Sequence, residues 1–235
     1  MAVTIATKAT SSTATVTKPT GLAVGDLLVA FLFTATNSTW TTLSGWTSVG
    51  TASDTIQNGL ASLNVQAKVA DSSDVSATDF TFAGATANRI VLFRITSNGD
   101  FSGTIASLIV SDFDSDATGG TPTTFSGGVT PNFTNSLLLL GAIQNTTAQS
   151  VTLSAPAVAN NNPSWTTQDS AGASAVSHIV SSATFSVGTA TGNYQVTSTL
   201  NSQCGGCLLS IYDSGDIAVT GSVGTLTLTG NTGSV

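Results

Sequence analysis

One apolar run occurs twice in this chain. Gly25-Asp26-Leu27-Leu28-Val29-Ala30 opens a stretch that stays apolar to Phe33, and Asn135-Ser136-Leu137-Leu138-Leu139-Leu140 repeats it, Leu27 answering to Leu137 at an offset of 110. A short, continuous apolar run bounded by turn residues reads as a strand covered on both faces. The order of features around it is also kept. Ser38-Thr39-Trp40-Thr41-Thr42 is answered by Pro163-Ser164-Trp165-Thr166-Thr167. The alternation of Leu63, Val65, Ala67 and Val69 returns as Ala175, Ser177, Ile179 and Ser181. Phe80-Thr81-Phe82 matches Tyr194-Gln195-Val196 at an offset of 114, and Ile90 to Ile95 matches Cys207 to Tyr212 at 117. Offsets that grow slowly along the chain are what insertions into a duplicated β unit produce.

Each half on this reading has one strand buried on both faces and several half-buried ones, too little to close a core alone. Two halves packed face to face solve the problem. The expected fold is all-β: a jelly-roll-like β-sandwich over residues 1–212, with halves 1–99 and 130–212. Residues 100–129 read as an insertion holding a short strand (Ile105 to Val110) and a Gly/Thr/Pro loop. Residues 213–235 fall outside the sandwich. Ile217 to Gly230 alternates in small residues, which fits either an extended arm that adds a strand to a neighbouring subunit or a solvated tail.

Composition supports the β assignment. The chain has no Glu, three Lys and two Arg, so the straight-chain residues that favour helix surfaces are nearly missing. The formal net charge is −7. Five cations cannot neutralise many phosphates, which argues against a nucleic-acid partner. The longest apolar run, Leu27 to Phe33, is too short to span a bilayer as a helix. Met1-Ala2-Val3-Thr4 lacks the charged and apolar regions of a signal peptide, so folding in a cytoplasm is expected. A Thr/Ser-rich, Lys-poor surface is nevertheless typical of proteins exposed outside cells, and a virion component satisfies both.

Candidate chemistry is sparse. Cys204-Gly205-Gly206-Cys207 has CxxC spacing, but no helix is predicted there to lower a thiol pKa. The favoured reading is two small buried residues around a glycine bend, with a disulfide, or a metal site that takes His178 as a third ligand, as alternatives. His178, the only histidine, is expected on a strand opposite Ile179 in a structural role, with no nucleophile elbow to serve. Asp26 and Asp79 are conceivable as a glycosidase pair, but Asp26 after Gly25 reads better as a turn cap. Asp112, Asp114 and Asp116 begin like an EF-hand loop, which suggests a weak Ca²⁺ site. Ala117 stands where that loop needs Gly and Thr123 where it needs Glu, so a solvated acidic loop is the other reading. Trp40 and Trp165, in polar loops, could stack on sugar rings or cap the open ends of the sandwich; Trp46 reads as a cap. No cofactor is expected.

Lys18-Pro19-Thr20-Gly21, Gly25-Asp26-Leu27-Leu28-Val29-Ala30, Ser44-Gly45-Trp46-Thr47 and Val65-Gln66-Ala67-Lys68-Val69-Ala70 form an order. It resembles the "P-x-G … GDLLVA … GWT … KVA" pattern of tailed-bacteriophage virion proteins and prophage-encoded tail or adhesin-like proteins. Ala190-Thr191-Gly192-Asn193-Tyr194 resembles their continuation. The likeness spans roughly residues 15–212. It implies a non-enzymatic structural protein on the surface of a virion; the compact size and the acidic, Lys-poor surface fit a capsid decoration or cement protein better than a tail or fibre component. Its partners would be other virion proteins and further copies of itself, with a trimer as the implied homo-oligomer. The alternative is a carbohydrate-binding adhesin module that meets a host surface glycan through Trp40 and Trp165.

Overall fold

A computed structural model of the chain describes residues 3–36, 38–52, 61–86, 89–116, 123–131, 135–145, 152–171, 176–186, 188–199 and 203–213. The C-terminal arm expected over 213–235 lies outside them after Asp213. The first half comprises β1 (Thr4–Ser11), β2 (Thr15–Thr17), β3 (Leu27–Thr34), β4 (Thr47–Ala52), β5 (Ser62–Val69), β6 (Asp79–Thr81) and β7 (Arg89–Thr96), with helix α1 (Ser72–Ser76) before β6. The second opens on helix α2 (Ile105–Leu108). It continues through β8 (Ile109–Asp116), β9 (Thr123–Phe125), β10 (Ser136–Asn145), β11 (Leu153–Val158), β12 (Thr166–Ala171), β13 (Val176–Phe185), β14 (Tyr194–Ser198) and β15 (Cys204–Ile211).

The all-β sandwich of two similar halves is what the structure has, and the two halves share one strand order. The first has a five-stranded sheet β1-β7-β3-β5-β4 facing a small sheet of β2 and β6, which Thr41 extends by a bridge to Ala83. The second has β8-β15-β10-β13-β12 facing β11-β14-β9. All pairings are antiparallel. Each half therefore follows a jelly-roll course of its own, and the two five-stranded sheets pack against each other.

This gives three apolar layers. The central one joins Leu27, Val29, Phe31, Phe33, Val91 and Phe93 of the first half to Leu137, Leu139, Ile143, Cys207, Leu209 and Ile211 of the second. The outer two lie inside the halves, around Leu28, Leu32, Trp46 and Phe82 in one and around Leu138, Phe125 and Tyr194 in the other. Strands β3 and β15 are buried along their whole length because an apolar layer covers each of their faces.

Four expectations change. Residues 100–129 hold β8 and β9, which occupy in the second half the places of β1 and β2 in the first. Residues 105–108 are helical, and the strand there starts at Ile109. Each half also has a second layer: β6, at the segment read as Phe80-Thr81-Phe82, pairs with β2 in a separate small sheet, and not in the five-stranded one. The last strand pair is offset by 116, not 117: Ile95 pairs with Leu27, and Ile211 with Leu137. The difference matters because a one-residue slip moves every side chain to the other face of the sheet. At 116, Val91, Phe93 and Ile95 correspond to Cys207, Leu209 and Ile211, all of which point into the central layer.

Candidate functional site

The facing five-stranded sheets have two seams, and they differ. Along one, β4 and β8 meet, with the Phe113 ring seated on Gly50; a Cβ on that glycine would lie 2.6 Å from the ring. Along the other, the end strands β1 and β12 leave a cleft of about 720 Å³. Val3, Ile5 and Leu137 belong to the central apolar layer and form its apolar side. Asn161, Asn162, Ser164, Thr166, Gln168 and Thr184 supply polar groups, and no charged residue lines it.

The wall formed by the β11–β12 connection is tied in place. Asn162 Oδ1 accepts from the Val158 amide at 3.0 Å and from Trp165 Nε1 at 2.9 Å. Asn160 Nδ2 donates to the Ala190 carbonyl at 3.1 Å, and the Ala159 and Asn160 amides bond to the carbonyls of Asn193 and Thr191. Asn161 takes φ 50°, a left-handed conformation that Asn tolerates better than most residues. Between the neighbouring strands β12 and β13, Gln168 Nε2 donates to Ser182 Oγ at 2.8 Å.

A partly buried ionic group joins the halves. Arg89 on β7 forks onto Asp169 on β12, Nε to Oδ2 at 2.8 Å and Nη2 to Oδ1 at 2.9 Å. His178 Nε2 on β13 stands 2.9 Å from the same Oδ2, with its ring 4.9 Å from that of Phe33. Burial would raise the Asp169 carboxyl, but the hydrogen bonds from His178 and Arg89 outweigh it and hold the group well below the ordinary carboxylate range. His178 is 3% exposed. It serves the junction of the halves, a role for which the sequence has no local signal, since Arg89 and Asp169 are 80 residues apart.

The candidates named from sequence are scattered. Trp40 is 5% exposed and lies in the core of the first half, so it offers no ring face to a sugar; Trp46 packs edge-on against Phe80 and Phe82 beside it. Trp165 is half-buried against the core of the second half. Cys204 and Cys207 form no disulfide and are buried on opposite faces of β15, in different apolar layers, which separates them as a disulfide or ligand pair. Cys204 Sγ lies 3.0 Å from the Ile143 carbonyl, and burial pushes the Cys207 thiol far up, so Cys207 is not a ready thiolate.

Asp112 and Asp114 stand on strand β8, where the EF-hand reading needs a loop; the Asp116 side chain lies outside the described residues. Asp114 accepts from the Ser126 and Ser115 amides at 2.7 Å each, which ties β8 to the turn after β9. Burial raises the Asp112 carboxyl, the Gly128 amide opposes this, and the neighbouring Asp114 adds to it. Among the described residues no group of three His, Cys, Asp or Glu side chains could share a metal ion.

Asp26 caps its turn, as the sequence suggests, through the Ala23 amide at 2.7 Å, and it also receives Arg94 Nε at 2.6 Å. Asp79 is exposed and accepts from Thr78 Oγ1. Lys68 bridges Asp71 and Asp74 at 2.9 and 2.8 Å. Burial opposes the Lys68 charge, but those two carboxylates prevail and raise its pKa. Gly45, with φ 79°, brings the Trp46 turn close to Lys68: an added Cβ would sit 3.4 Å from Nζ. The Gly25 amide bonds to the Ala70 carbonyl, and the Ala70 amide to Asp26. The GDLLVA, GWT and KVA segments thus meet at one end of the first half. Comparison of the chain with protein-family models, with curated proteins and with solved structures finds no match.

Proposed function

We propose that the chain is a non-enzymatic structural protein displayed on the surface of a bacteriophage particle, as a capsid decoration or cement protein in the first place and as a tail or fibre component otherwise. The observation that carries this reading is where the motif order falls. Its glycines, Asp26, Trp46 and Lys68 form a linked set of turns that closes the first half, so what the chain has in common with virion proteins is architecture. Two of the polar groups weighed for catalysis are engaged in the same way: Asp26 with Arg94, and His178 with Asp169.

Its partners are other virion proteins and further copies of itself, the trimer being the form the resemblance implies. Quantitative mass spectrometry of purified particles tests the proposal. A high copy number supports decoration, a few copies support a tail part, and absence from the particle overturns the reading. Light scattering of the full chain tests the oligomer, with a monomer at all concentrations counting against it.

A further inference from the structure

We propose that the cleft between β1 and β12 is a binding site for a neutral oligosaccharide. The inference stands apart from virion placement, and it moves glycan recognition away from the buried Trp40 and the half-buried Trp165. A sugar is amphipathic, with hydroxyls around its ring and C–H groups on its faces. The cleft has the complementary arrangement: the apolar side chains of Val3, Ile5 and Leu137 beside amide and hydroxyl groups from Asn161, Ser164 and Gln168. Amides and hydroxyls both donate and accept, so they can follow the paired donor and acceptor character of a sugar hydroxyl.

No lining residue is charged, so a sialylated or sulfated ligand would lose solvation there without finding a counter-charge, next to a chain of net charge −7. A cleft of about 720 Å³ lies within the range of ligand sites. The bonds that hold Asn160 and Asn162 fix one wall before any ligand arrives, which lowers the ordering cost of binding. Two edge strands from different halves also meet at this seam, whereas the opposite seam is closed by Phe113 on Gly50.

The test is an array of neutral oligosaccharides alongside sialylated and sulfated ones, probed with the full chain and with Thr184→Trp, Ser164→Trp and Thr81→Trp. All three positions are exposed, and Thr81 lies on the small sheet of the first half, away from the cleft. The expected result is binding confined to neutral glycans, reduced roughly tenfold or more by a Trp at Thr184 or Ser164 and unchanged by one at Thr81. Failure of any neutral glycan to bind, preference for charged ones, or binding indifferent to both cleft variants would overturn the proposal. Should the cleft variants lose their melting transition, amide shift mapping of the unaltered chain decides: perturbation at Gln168 and Ser182 supports the site, and perturbation only elsewhere refutes it.

Discussion

The two halves agree at one pair of equivalent positions and diverge at another. Gly25 and Asn135 precede the matching central strands, and both are left-handed, at φ 88° and 64°. Six residues further on, Phe31 in the first half corresponds to Gly141 in the second, and the Phe31 ring lies over that glycine; a Cβ on Gly141 would be 2.7 Å from it. The backbone requirement is copied, while the side-chain volumes are complementary. Duplication of the strand order sets the architecture, and departures from the repeat in the central layer fit the copies together. Gly50 under Phe113 makes a second contact of the same kind at the closed seam.

Truncating the ring should have the largest effect. Phe31→Ala leaves a void between the halves and should cost about 3–5 kcal/mol, read as a lower urea midpoint of the full chain. The ionic junction comes next. Asp169→Asn weakens the charged hydrogen bonds to Arg89 and His178 and should cost about 1.5–3 kcal/mol at neutral pH.

The sign of its pH dependence follows from the depressed Asp169 pKa. The contribution is complete above the ordinary aspartate value of 3.8 and declines as pH falls below it toward the folded-state value. The gap in urea midpoint between the wild-type chain and Asp169→Asn should therefore narrow in strong acid, and a gap that widens there would contradict the assignment. The smallest effect is expected at the copied turn. Asn135→Ala should cost about 1 kcal/mol because Ala resists the left-handed region, whereas Asn135→Gly should be neutral or slightly stabilising in the same denaturation.

The sequence reveals the repeat because apolar runs and alternation report burial directly. It conceals β8, whose acidic residues Asp112, Asp114 and Asp116 alternate with Phe113 and Ser115 and look like a loop until Phe113 is seen against Gly50. Insertions obscure the offset of the last strand, which only the face each side chain takes can decide. Arg89, Asp169 and His178 are far apart along the chain or separated by a hairpin, and the cleft arises where edge strands of different halves face each other. No local pattern encodes either feature. Trp40 and Trp165 read as caps or as binding surfaces, because sequence shows that a ring sits in a loop and not which way the loop folds.

The central claim is that the halves interlock through ring and glycine. A double-mutant cycle in the full chain tests it most directly, with Phe31→Ala, Gly141→Leu and the two combined, each followed by urea unfolding. The leucine should fill the space that the missing ring leaves. The combined variant is therefore expected to be less destabilised than the sum of the singles by more than about 1 kcal/mol. Additivity within about 0.5 kcal/mol would contradict the interlock.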